Sequence, residues 1–173
     1  MNVEKKIAAM GLTLPDLEFE YRHAPSKAKF HSHSAVGNVL YLAGATPSKD
    51  GKQFMPGVVG KDLTVDQARE AMRQCCLVML AHAKYALGDL DRLNRFLQMV
   101  AYINSAPGFV DQPPITNAAT ELLEELFGEA GLCARASIGC QGLANNHSVE
   151  IVAVCEFKGT EVRAPLRRDA FRK

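Results

Sequence analysis

The order of patterned segments predicts an α+β layer, with two helices packed on one side of a mixed β-sheet. Two long stretches, 64–87 and 111–128, repeat apolar residues at helical spacing, and five shorter runs have strand composition. Their order is β-β-α-β-α-β-β, with no internal repeat and no low-complexity linker. With 173 residues, 47% of them hydrophobic, the chain can bury a substantial core as a single domain.

Taken in order, residues 3–11 form a short amphipathic helix that Gly11 ends, and Pro15 opens an extended passage through Glu18 to Ala24. Residues 29–36 alternate as an edge strand, and Gly37-Asn38 turns the chain tightly into Val39–Ala43 as a first hairpin. Residues 44–60 have four glycines and two prolines, a loop composition, with Asp50-Gly51 as its best turn. Loops of this length often carry function.

Thr64 and Gln67 have capping-box spacing, and the helix they begin buries Ala68, Met72, Cys75, Met79 and Ala83 before Gly88 stops it. Residues 97–103 are apolar on both faces apart from Gln98, which fits a strand buried on both sides. Asp111 can cap a second helix with Pro113 in its first turn, its core stripe being Ile115, Ala119, Leu122, Leu123 and Leu126.

Residues 133–157 read as two β-prone runs around a Gly/Ala/Asn segment, hence a second hairpin. Centred between Leu143 and Ala144, it sets Ser137 opposite Glu150 and makes Arg135 a diagonal neighbour of Glu150. One face is then small and apolar (Ala134, Ala136, Ile138, Cys140, Val149, Ile151, Ala153), and the other carries Arg135, Ser137 and Glu150 together. That pairing depends on register, since a slip of one residue parts the two charges.

A guanidinium and a carboxylate on one face can form a structural ion pair, or they can share a ligand. Val100, Tyr102, Val152 and Val154 fall where a two-layer domain exposes them, which predicts a homo-oligomer that covers them. His31 and His33 have strand spacing, yet no third residue completes a metal ligand set.

The formal charge of +1 and the lack of a Lys/Arg block outside the tail give no electrostatic footprint for nucleic acid or an anionic membrane. No run approaches a membrane span and the first residues do not read as a signal peptide, so a cytoplasmic protein is expected. Five cysteines without a C-x-x-C pair fit reduced, structural thiols. The tail 158–173, with Arg163, Arg167, Arg168, Arg172 and Lys173, reads as a frayed, solvated end.

Five pieces in sequence resemble the Rid family, the reactive intermediate deaminases such as RidA, also called YjgF-type or endoribonuclease L-PSP proteins. They are Gly37–Gly44, the Gly60–Thr64 approach to the first long helix, Asn117, Ala134–Ser137, and Val149–Ile151. The resemblance covers about 37–157, leaving 1–28 as an N-terminal extension. The 104–109 segment and the N-terminal helix look like a branch of uncertain substrate.

The resemblance implies a chorismate-mutase-like fold assembled as a homotrimer, with sites in the clefts between subunits and no metal or organic cofactor. It implies hydrolysis of enamines and imines of amino acids to 2-oxo acids and ammonia, the alternative being a trimeric protein that only binds a small carboxylate. Arg135 would hold the substrate carboxylate, Glu150 would move protons, and the Ser137 backbone would help place the water. Asn117, Gly44, Ala45 and Thr46 would line the site. Phe30 stands where many deaminating members have a tyrosine, so His31 or His33 would have to replace the phenolic hydroxyl.

Overall fold

The computed structural model describes residues 2–23 and 28–171. A five-stranded mixed sheet in the order β1-β2-β7-β5-β6 forms one layer. Its strands are β1 (His33–Val36), β2 (Val39–Ala45), β5 (Leu93–Asn104), β6 (Ala134–Cys140) and β7 (Val149–Phe157). Two long helices, α3 (Val65–Leu87) and α4 (Gln112–Phe127), pack on one side of it. Short helices α1 (Val3–Ala9) and α2 (Leu17–His23) precede the sheet, and a small ribbon of β3 (Ser48–Lys49) and β4 (Lys52–Gln53) follows β2.

Local sequence explains most of these elements. Thr64 Oγ1 accepts from the Gln67 backbone at 3.2 Å while Gln67 Oε1 accepts from Thr64 N at 2.9 Å, so two orphan donors are satisfied at the start of α3. Gly88, at φ 78°, closes the helix in the left-handed conformation that a Cβ disfavours. The α4 stripe Ile115, Ala119, Leu122, Leu123 and Leu126 is fully buried, and each large side chain contributes about 1.5–3 kcal/mol by leaving water. Asp111 occupies the N-cap position of α4 without a side-chain bond, and the prolines in the first turn set its direction instead.

Three sequence expectations are corrected. The passage after Pro15 is helical rather than extended: Asp16 Oδ1 accepts from Phe19 N at 3.0 Å, starting α2, and Leu17 and Tyr21 bury one helical face. The expected end of that passage at Ala24 lies outside the described residues.

The tail is bound, not frayed. Leu166 O accepts from Ser32 N at 2.9 Å, Ala86 O accepts from Arg163 N at 2.9 Å, and Phe30 O accepts from Arg168 N at 2.9 Å, so segment 160–168 runs along the β1 margin. These backbone bonds satisfy donors and acceptors that charge composition alone does not reveal. Arg172 and Lys173 lie outside the described residues.

The third correction concerns the second hairpin. β6 and β7 do not pair, because β5 lies between them, parallel to β6 and antiparallel to β7. The β5-α4-β6 unit makes the parallel crossover, and segment 141–148 carries the chain over β5 to its other edge. Asn145 and Asn146 supply left-handed turns there, at φ 55° and 59°. In this topology Arg135 is level with Met99 and Ala153, Ser137 with Ala101 and Ile151, and Glu150 with Tyr102 and Ile138.

Residues level across a sheet share a face, so Arg135 and Ser137 lie on the helix side and Glu150 on the opposite side. The sequence pairing of Arg135 with Glu150 in one chain is therefore overturned. The side opposite the helices is the apolar one foreseen from Val100, Tyr102, Val152 and Val154. Tyr41 and Ile138, 48% and 41% exposed, extend it, and β6 leaves an open strand edge beside it.

Candidate functional site

Glu150 is the second residue of β7, beside an irregularity in β2 where the register with β7 shifts between Leu42 and Ala45. The shift places Gly44 directly against Glu150, and a Cβ at position 44 would overlap Glu150 Oε1. Glycine is needed there for close approach, since no positive φ is recorded at that position. Among the described residues Glu150 makes no hydrogen bond or ion pair, and burial raises its pKa above the ordinary carboxylate value.

Glu150 lines a cavity of about 540 Å³ enclosed by α2, the 44–53 loop, the 141–148 crossover, one face of α3 and the C-terminal segment. Of the residues expected at the site, Phe30, Gly44, Ala45, Thr46 and Glu150 all line it. Tyr21 lines it too, its hydroxyl 3.5 Å from His82 Nε2, so a phenol is supplied from α2 although position 30 is Phe. Burial pushes the Tyr21 phenol up to about 12 and the His82 imidazole down to about 3, leaving both neutral near pH 7.

His147, at the far end of the crossover, is a second imidazole on the cavity wall. Burial lowers its pKa, its Nδ1 has no hydrogen-bond partner among the described residues, and its Nε2 lies 3.4 Å from Gln53 Nε2.

His31 and His33 do not reach the cavity, so neither replaces the phenol. His33 is buried with Nε2 2.9 Å from Arg163 O, and His31 is exposed where it bridges to Arg167. They hold the tail against β1.

Arg135 forms a second cluster. Its Nη1 donates to Asn117 Oδ1 at 2.8 Å and to Thr120 Oγ1 at 2.9 Å, both on α4, so Asn117 supports the arginine rather than lining the cavity of its own chain. Both acceptors are neutral, which aims the exposed guanidinium without cancelling its charge. Ser137 lies half-buried two residues further along β6. By strand spacing, three residues along β5 and two steps between strands put the Arg135 and Glu150 Cα atoms about 14 Å apart.

Sequence reasoning missed Glu20, Tyr21, His82, His147 and Arg168, all on the cavity wall. α2 was hidden by its short length, and the role of Arg168 by the polar composition of the tail. The Asp16 cap three residues before Phe19 was a readable signal.

Glu4, Asp89 and Asp91 have ligand oxygens within 4.8 Å of one another. They serve structure: Glu4 Oε1 accepts from Lys84 Nζ and Leu90 N, and Asp91 Oδ1 accepts from Val3 N, pinning α1. The five cysteines are all free thiols, and among the described residues no helix is long and apolar enough to cross a membrane.

Comparison with known proteins gives consistent results. The family model described as "YjgF/chorismate_mutase-like, putative endoribonuclease" matches residues 4–155. Protein TCP17 of Trypanosoma cruzi is 32% identical over 156 residues, covering 90% of this chain and 94% of TCP17. The crystal structure of Atu1372 from Agrobacterium tumefaciens, a protein of unknown function, is 34% identical with a TM-score of 0.80, covering 90% of this chain and 92% of that one. A "putative endoribonuclease" from Shewanella oneidensis superposes with a TM-score of 0.83 at 27% identity, covering 91% and 100%. With its mixed sheet, its helices on one side and a family match along most of its length, the chain belongs to the YjgF/chorismate-mutase-like family, the group also called Rid or L-PSP.

Proposed function

We propose that this protein hydrolyses enamine and imine intermediates of amino acids to 2-oxo acids and ammonia. The observation that carries the reading is Glu150: a desolvated carboxyl with no partner among the described residues, held against Gly44 in a cavity large enough for a small metabolite. A carboxyl with a raised pKa exchanges protons near neutral pH more readily than an ordinary one.

The reaction needs one water and no redox step. The water oxygen bonds to the imine carbon as Glu150 takes a proton from it and delivers it to the nitrogen, giving a carbinolamine. The carbinolamine hydroxyl then loses its proton to the leaving nitrogen, the C–N bond breaks, and a 2-oxo acid and ammonia result.

The substrate carboxylate belongs on Arg135, whose fork is oriented by Asn117 and Thr120. Because Arg135 lies about 14 Å from Glu150 within one chain, the working site combines Glu150 of one subunit with Arg135 of the partner subunit. A homotrimer that buries the Tyr41, Ile138 and Val152 face supplies that arrangement, and the open edge of β6 favours it. A cytoplasmic location fits such an enzyme.

Ribonuclease activity, the sense of the older family name, gains no support from a formal charge of +1. The decisive test generates imines in place with an amino-acid oxidase and times ammonia release. Acceleration by the wild type, loss of it in Glu150→Gln and retained carboxylate binding in that variant are expected. No acceleration across a broad amino-acid panel, with carboxylate binding intact, would leave a trimeric carboxylate-binding protein instead.

A further inference from the structure

The guanidinium that shares a cavity with Glu150 inside one chain is not Arg135 but Arg168, from the segment beyond the residues that the family model matches. Arg168 is fixed there. Its Nη1 donates to Tyr21 O at 3.1 Å, its Cζ sits 4.3 Å from the Tyr21 ring centroid, and its backbone N–H donates to Phe30 O. Each contact joins the tail to a segment of the cavity wall, which is how a side chain near the end of the chain comes to hold a set position.

Charge on the wall is uneven. Lys52 and Arg168 are its cations, and Glu20 and Glu150 its acids. Glu20 accepts from Gly51 N at 3.1 Å and lies close enough to offset part of the burial cost of the Arg168 charge. Among the described residues Glu150 makes no ion pair, with Arg168 or with any other cation, so the two charged groups of the wall stand apart. The cavity thus has a carboxyl for proton transfer at one place and a stacked guanidinium at another, with more volume than the imine of a small neutral amino acid fills.

We propose that Arg168 is the floor of a second anion subsite and that the preferred substrates carry a carboxylate at each end, as imines of acidic amino acids do. This rests on the deaminase reading, in which the carboxylate next to the imine lies on Arg135 of the partner subunit. The distal carboxylate then meets the Arg168 fork, whose planar donors suit a carboxylate and whose stacking on Tyr21 restricts its rotation. The tail is in this view a specificity element: it adds a guanidinium to a wall where, among the described residues, the family core supplies Lys52 alone as a cation.

The test compares acidic and neutral imines, generated in place by oxidases for aspartate or glutamate and for alanine or leucine. The wild type should favour the acidic imines in kcat/KM. Arg168→Gln should raise KM for acidic imines about tenfold or more, leave kcat within about twofold, and leave neutral imines unchanged. Arg168→Lys should recover part of the loss. Arg167→Gln, which removes the neighbouring exposed pair with Asp169, controls for a loosened tail and should change neither class.

Equal effects of Arg168→Gln on acidic and neutral imines, or no acidic preference in the wild type, would overturn the subsite while the deaminase reading stood. If no imine at all is turned over, the deaminase reading fails. Calorimetric titration with glutarate then decides the subsite alone: binding that Arg168→Gln abolishes supports it, and equal binding by both proteins overturns it.

Discussion

Glu150 and Arg135, fifteen residues apart in sequence, occupy opposite physical situations. Glu150 is packed against a glycine, desolvated and without a partner among the described residues, so burial works against its charged form. Arg135 is exposed at a sheet edge, with two neutral oxygens orienting its fork and, among the described residues, no carboxylate paired with it. One group is kept reactive by being taken out of water, and the other is kept able to bind by staying in it. Neither is a complete site, and the sheet separates them by about 14 Å.

The largest expected effect joins the two halves. Glu150→Gln should lower kcat by about 10²–10⁴-fold, the range of positioned acid–base groups, and Arg135→Ala should raise KM about tenfold to a hundredfold. If the halves come from different subunits, unfolding and reassembling the two inactive variants together should restore a fraction of wild-type ammonia release. Mixed assemblies contain boundaries at which an intact Glu150 faces an intact Arg135. Equal inactivity of the mixture, with mixed oligomers demonstrated by mass spectrometry, would mean that both groups act from one chain or not at all.

Gly44→Ala probes the Glu150 half alone. The added methyl must displace the carboxylate, the far end of a flexible side chain, so the fold should bear it with little loss of Tm. The carboxyl, however, would move off its position. A fall in kcat of about tenfold at nearly unchanged KM is expected, since only the proton-transfer geometry is disturbed. Unchanged kcat would show that Glu150 does not need this close seat.

Much of the fold was legible, for local physical reasons. The capping box of α3, its glycine stop and the five-residue stripe of α4 are short-range signals, and each element lies where those signals put it. Asp50-Gly51, with both residues at positive φ, likewise forms the β3–β4 turn. The second hairpin was not legible, because strand composition states that a run is extended and not which strand lies beside it. Insertion of β5 between β6 and β7 is a long-range pairing that no local pattern in either run encodes. It inverted the face of Arg135 and Ser137 while leaving Glu150 on the side opposite the core.

The cavity shows the same division. Gly44, Ala45, Thr46 and Phe30 were anticipated through family resemblance, whereas Tyr21, His82 and Arg168 converge from three distant segments with no common motif.

Asn117→Ala acts on the Arg135 half. It removes one of two acceptors from Nη1 and leaves Thr120, so the guanidinium gains freedom without losing its charge. A rise in KM of about threefold to tenfold is expected, smaller than that of Arg135→Ala, with Tm nearly unaltered because the pair is exposed. A fall in kcat at unchanged KM would assign Asn117 to the reacting centre instead.

The smallest effect is on stability and isolates the desolvation of Glu150. Its folded pKa lies above the ordinary value of 4.5, so the folded state favours the protonated form. The stability this contributes is fully present below the unfolded pKa and is lost as pH rises through the folded one. Glu150→Gln, which is never ionised, should therefore melt at the same temperature as the wild type near pH 4 and above it near pH 8. The gap should be small, because solvent still reaches part of the carboxyl. A wild type more stable than Glu150→Gln at pH 8 would mean that the carboxylate has a cationic partner in solution. If mutating Arg135 then abolished that advantage, the cation would be Arg135, brought to Glu150 by a second copy of the chain.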